Sequence, residues 1–286
     1  MLKVKEFFDR KTYTLTYVVY NIQTKDAIII DPVWDYDQFS SKVSRNSIEI
    51  LLNFISKNLL KVHFILETHA HADHLSAALE LKKKFPHVKI GIGKNITKVQ
   101  STFKSILNLK SLDTNGGQFS VLLNEGQVLN AGEIEIKTMF TPGHTPACSS
   151  YLIEDMVFTG DALFMPDSGT GRCDFPLGSA KDLYHSVHEK LYKLPGETRF
   201  FTGHDYQPQK REVMFMSTIA QSKLENIQLK ETTSEEEFVK LREKRDATLS
   251  APQLLFPSIQ VNLNAGKLPE PEDNGISYLK TPVGKL

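Results

Sequence analysis

The chain is expected to be an α/β protein with two β-sheets sandwiched between helices, and three observations point there. Short β-branched and aromatic runs alternate with stretches of helical periodicity, the pattern of mixed α/β packing. Hairpin-like pairs and β–α units occur twice over, which fits two sheets better than one doubly wound sheet. The length of 286 residues, with 40% hydrophobic and 24% charged side chains, supplies a buried core for one large domain or two small ones.

Residues 14–22 (TLTYVVYNI) and 27–31 (AIIID) are strand-like, and the polar residues 23–26 between them make the pair a hairpin. Ile48, Leu51, Leu52, Ile55 and Leu59 recur at helical spacing, so an amphipathic helix follows. Residues 62–66 are the next strand and run straight into THAHADH. Ala77, Ala78, Leu81 and Phe85 mark a helix stopped by Pro86, then residues 88–92 a strand. Ile96, Val99, Phe103, Ile106 and Leu107 mark another helix. From about residue 117 the texture turns to strands, at 119–123, 134–140, 150–153 and 156–159. A helix on Leu183, Val187, Leu191 and Leu194 precedes a strand at 199–202. Beyond Val213 a helix is predicted on Met214, Ile219 and Leu224, and another over 234–245, whose dense charges read as a solvated face. The tail from Pro257, rich in Pro, Gly and Asn, is expected to be an extended arm on the surface. Residues 1–212 would then form the main domain, and 213–286 a helical extension with an arm packed on it.

With 34 basic and 34 acidic side chains the formal charge is zero, which argues against nucleic-acid binding and attachment to an anionic membrane. MLKVKEFFDR at the start has no apolar core, so no secretory signal is expected. Cys148 and Cys173 are too few for a disulfide scaffold, so a reducing, cytoplasmic setting is the default. A homodimer is expected only from how common such assemblies are.

The nine histidines carry the functional reading. His69, His71, Asp73 and His74 fall within six residues between a strand and a helix. Alternation along such a turn would let His69 and His71 share one metal while Asp73 and His74 face another. His144 (TPGHTP), Asp161 (FTGDA) and His204 (FTGHD) follow strands in the same small-residue context, and such ligands suit zinc, iron or manganese. His185 and His188 read as surface or packing residues, and His63 and His87 as lone structural histidines. Gly91-Ile-Gly93 lacks the third glycine of a dinucleotide fingerprint, and there is no G-x-S-x-G elbow.

This order of motifs resembles the metallo-β-lactamase superfamily. The resemblance implies an αββα four-layer sandwich of two mixed sheets, with the metal site at one edge. Asp31 looks like the acidic residue that supports the ligand loop from behind. Within the superfamily, residues 141–190, with GTGRCDF and LYHSVHEK, and His204-Asp205-Tyr206 resemble the persulfide dioxygenase branch. The tail, PSIQVNLNAGKLPEPEDNGISYLK, resembles bacterial β-lactamase-like members, some fused to other sulfur-handling domains. The chain departs from the mitochondrial type at Cys173, where that enzyme has threonine, and in a longer loop over 165–170.

The branch implies one Fe(II) on His69, His144 and Asp161, with His71, Asp73, His74 and His204 orienting waters. Its reaction would oxidise glutathione persulfide, or a similar small persulfide, with O2 to sulfite and free thiol. Arg172 would grip a substrate carboxylate or pair with Asp174. Tyr206 would hydrogen-bond the bound sulfur or water, or lie in the core. Cys173 would be a reactive thiol or a buried one. The alternative is a binuclear hydrolase of the glyoxalase II type, with two Zn(II) or mixed Fe/Zn and Asp161 joining the two ions. All seven of its ligands are present. A non-enzymatic binding module is a distant third, since none of the ligands is lost.

Overall fold

The computed structural model describes residues 1–284. β1 (Leu2–Asp9), β2 (Thr14–Asn21) and β3 (Asp26–Ile30) form an antiparallel meander. The small strands β4 (Val33–Asp37) and β5 (Lys42–Ser44) lead into α1 (Asn46–Lys57). β6 (Lys61–Glu67) returns parallel to β3. β7 (Leu75–Ser76) pairs with β4, and α2 (Ala78–Lys84) follows. β8 (Lys89–Gly93), α3 (Ile96–Ile106) and β9 (Val121–Leu123) extend the parallel half and close the first six-stranded sheet.

The second sheet begins as the antiparallel run β10 (Val128–Ala131), β11 (Ile134–Phe140), β12 (Ser149–Ile153) and β13 (Met156–Gly160). α4 (Ala180–His185) continues through a π-turn and a short 3₁₀ turn to Lys193, so the predicted single helix is one path in three windings. β14 (Arg199–Thr202) lies parallel to β13, and β15 (Met216–Thr218) closes the sheet antiparallel to β14. α5 (Ile219–Glu225), α6 (Glu235–Asp246) and α7 (Leu255–Asn262) complete the chain.

Strand alternation builds the layers. Tyr17, Val19, Ile28 and Ile30 point inward, onto Ile136, Tyr151, Phe158 and Phe201 of the second sheet. Val18, Ala27 and Ile29 point the other way, onto α1, α2, α3 and α7. The outer face of the second sheet, through Val157 and Phe200, receives Leu183, Val187, Ile219 and Phe238. Helices therefore cover both outer faces, and the four-layer expectation holds with two mixed sheets.

Three local expectations are corrected, and β1, for which no element was predicted, pairs with β2 along its whole length. Met214 precedes β15 rather than starting a helix, and α5 begins at Ile219, capped by the Thr218 hydroxyl accepting from Gln221 N. The tail is not an arm at its start: residues 255–262 form α7, with Ile259 and Val261 in the core. Pro257 is tolerated there because first-turn N–H groups have no intrahelical partner. The charged helix α6 is not solvated all round, since Phe238, Arg242 and Asp246 are buried. No helix among the described residues is long and apolar enough to cross a membrane.

Candidate metal centre

The histidine-rich loop leaves the carboxyl end of β6, and His144, Asp161 and His204 follow the carboxyl ends of β11, β13 and β14. Side chains from both sheets thus meet at one edge, where α/β folds place their sites. Gly203 makes the approach possible: a Cβ there would lie 2.8 Å from Asp161 Oδ1 and 3.0 Å from the Gly160 backbone. His69, His71, His74 and His204 are each 1% exposed, so the cluster is buried.

Ligand atoms of His69, His144 and Asp161 all lie within 4.8 Å of one another, and so do those of His71, Asp73 and His74. The His69 and His71 rings lie side by side, with centroids 4.0 Å apart, yet they fall into different trios. His71 turns its Nε2 to within 3.0 Å of Asp31 and 3.5 Å of Glu67. His204 Nε2 stands between the halves, 3.5 Å from both Asp73 Oδ2 and Asp161 Oδ1.

Hydrogen bonds fix which nitrogen His69 and His144 offer. The Thr68 hydroxyl donates to Asp31 Oδ2 (2.8 Å) and so accepts from His69 Nδ1 (2.9 Å), which leaves His69 Nε2 bare. Asp31 also accepts from Thr68 N at 2.7 Å, helped by a left-handed φ of 49° that turns its carboxylate back onto the loop. His144 Nδ1 donates to Arg172 O (2.6 Å), leaving Nε2 for Asp161. His69 Nε2, His74 Nε2, His204 Nε2 and Asp161 Oδ1 are buried without a hydrogen-bond partner. Such atoms rarely stay unpaired in a folded protein. Four of them in one cluster of imidazole and carboxylate fit a metal ion as the missing partner.

The electrostatics agree at His69 and Asp73. Burial and the neighbouring His71 and His144 hold His69 well below the ordinary imidazole value, in the neutral ligating form. Burial works against ionised Asp73, yet His204 and His74 hold it well below the usual carboxylate range. Burial also works against charge on His71, but Asp31 and then Glu67 outweigh it and raise its pKa.

The centre opens on a cavity of about 810 Å³, bordered by Asp73, His144, Asp161, Phe164, Arg172 and Tyr206 among others. Tyr206 is not a core tyrosine: it is half exposed and stacks on His204 with ring centroids 5.6 Å apart. Arg172 borders the cavity with its fork already filled, by Asp174 at 2.5 Å through both Nε and Nη2 and by Ser250 O at 2.7 Å. Cys173 is buried, and that burial pushes its thiol far up; Cys148 is likewise pushed up, to about 12. His185 pairs with Glu189 and Glu235, His188 stacks on Tyr184, His63 meets Asp26, and His87 meets Val62 O, all away from the centre.

Several supports escaped sequence reading. Thr14 Oγ1 touches Asp73 Oδ2 (3.2 Å) and His74 Nδ1 (3.3 Å) from β2. Asp246 of α6 accepts from Cys173 N at 2.8 Å, steadying the segment whose Arg172 carbonyl orients His144. Glu67 alone left a signal, as a carboxylate straight after the apolar run 64–66.

The family described as Metallo-beta-lactamase superfamily matches residues 10–204. A protein named Glyoxylase B2 from Dictyostelium discoideum is 46% identical, covering 99% of this chain and 98% of its own length. Mouse "Persulfide dioxygenase ETHE1, mitochondrial" is 30% identical over 92% of this chain and 88% of its own. The crystal structure of ETHE1 from Myxococcus xanthus superposes with a TM-score of 0.75 at 28% identity, covering 93% of this chain and all of that one. A match that spans the supporting Asp31 and every candidate ligand through His204, with a relative alike from end to end, means that the chain belongs to the metallo-beta-lactamase superfamily.

Proposed function

We propose that the chain is an iron-dependent persulfide dioxygenase acting on glutathione persulfide or a similar small thiol persulfide. One observation carries the reading: His144 and Asp161 border the cavity and, with His69, make a trio of two imidazoles and one carboxylate. That set suits a single Fe(II) with open positions beside it. Bound there, iron would supply the redox chemistry by which dioxygen reacts with sulfur. In the overall reaction a persulfide, dioxygen and water give a thiol, sulfite and two protons. Likeness to a protein named persulfide dioxygenase supports the same choice.

The chain's own residues have distinct parts in this proposal. Thr68 and the Arg172 carbonyl hold His69 and His144 in the tautomers that offer Nε2. Asp73, His74 and His204 face the centre from the other side and would orient water and take or return protons there. Tyr206 and Phe164 form an aromatic wall, 6.0 Å apart, that would shield the reacting sulfur from bulk water. Arg172 would receive a substrate carboxylate only by sharing or giving up Asp174.

A second reading, a binuclear thioesterase of glyoxalase II type with two Zn(II) or mixed Fe/Zn, draws on the second ligand trio, His71, Asp73 and His74. The name of the Dictyostelium relative points the same way. One preparation separates the two. Protein purified at low oxygen should hold about one iron per chain and consume dioxygen with glutathione persulfide. Two metals per chain with S-lactoylglutathione hydrolysis and no oxygen uptake would replace the first reading by the second. Asp161→Asn should abolish metal binding, whereas His71→Ala should retain part of the iron; equal loss in both would indicate a binuclear centre.

A further inference from the structure

The loop between β6 and β7 is irregular and buried, so its backbone polar groups need partners. They come from the far end of the chain. Asn262, the last residue of α7 and 4% exposed, donates from Nδ2 to both His71 O and His74 O at 2.8 Å. Its Oδ1 accepts from Ser76 N at 2.7 Å, across 186 residues of sequence. The two donated bonds grip the backbone on either side of Ala72 and Asp73, and both of those residues border the cavity. The turn after α7 is shaped for this approach. Gly266 has φ 87°, and a Cβ there would stand 2.7 Å from Ser76 O, so only glycine lets the segment lie so close.

We propose that Asn262 is a positioning residue of the metal centre: by clamping the loop at His71, His74 and Ser76 it sets where Asp73 and His74 stand. The inference rests on the reading above only in placing a metal at this site, not in the reaction assigned to it. A side chain of the same size without donors breaks the clamp. Asn262→Asp keeps the acceptor for Ser76 N but turns a carboxylate onto two carbonyl oxygens.

The test uses Co(II)-loaded protein, whose visible spectrum reports the ligand field without any substrate. Asn262→Asp and Asn262→Ala should alter that spectrum and weaken Co(II) affinity by about tenfold in chelator competition. In the iron-loaded protein the same variants should lower kcat by about tenfold with KM held within about twofold. Ile259→Ala, a cavity in the same helix that removes no polar contact, should lower Tm yet leave spectrum and affinity as in the wild type. A wild-type spectrum and affinity in Asn262→Asp, with only Tm lowered, would overturn the proposal. Should Asn262→Ala fail to fold, the isosteric variant decides. If the wild type itself consumes no dioxygen, the reaction reading fails while the cobalt spectra still judge this one.

Discussion

The Thr68 hydroxyl passes a hydrogen bond from the Nδ1 of His69 on to Asp31, so one small side chain ties a metal-facing imidazole to a buried carboxylate. Thr68→Val keeps the shape and removes the relay, leaving His69 free to change tautomer. Metal affinity should fall by about tenfold to a hundredfold, read by competition with a coloured chelator; unchanged affinity would reduce Thr68 to a spacer. His69, His71, Asp73 and His74 were legible because they stand within one short stretch. Thr14 and Asn262 were not, because their partners lie tens to hundreds of positions away and nothing in their local sequence announces the contact. Arg172 shows the converse. Its neighbour Asp174 was visible at a separation of two, and the ion pair is there.

Helix α6 looks like a charged surface helix, opened by the Ser234–Glu237 capping box with acidic residues in its first turn. Its buried face nevertheless holds Arg242, paired with Asp246 and donating to Gln228 Oε1 at 2.8 Å. Asp246 in turn accepts from Cys173 N, so the helix reaches the segment that orients His144. Arg242→Ala would leave the Asp246 charge buried without its partner and should cost about 3–5 kcal/mol, measured by urea unfolding. A loss under about 1 kcal/mol would mean that water reaches Asp246 and the pair is effectively on the surface. The charge run read as a helix over 234–245 matches α6 at Glu235–Asp246. The buried face could not be read, because a run so rich in charge has no apolar stripe to reveal it.

At the scale of the whole molecule, Asp26 joins the two sheets. From β3 it accepts from Glu133 N in the β10–β11 turn (3.1 Å), with Thr24 and His63 also bonded to its carboxylate. Burial disfavours its charge, but the bonds from Thr24, His63 and the Glu133 backbone outweigh that and hold its pKa below the ordinary value. A carboxylate with a depressed folded pKa adds stability above its unfolded value of about 3.9, and that stability is lost as pH falls through the folded value. Asp26→Asn should therefore be less stable near neutrality and lose less on acidification from about pH 5 to pH 3, seen in urea unfolding across that window. An acid slope equal to the wild type would remove Asp26 from the inter-sheet contacts that respond to pH.

By itself the sequence determined the layers and the ligand types. Strand and helix periods are local, and so is a run of three histidines and an aspartate beside a strand end. Only the tertiary structure decided which imidazole faces which partner: His71 toward Asp31 and Glu67, His69 toward His144 and Asp161. It also decided that the segment after Pro257 braces the centre through Asn262 and Gly266 instead of lying over the surface as an arm, and that α6 reaches Cys173. The physical reason is that a tautomer, and the partner of a buried backbone group, are set by atoms a few ångströms away in space, whatever their distance along the chain.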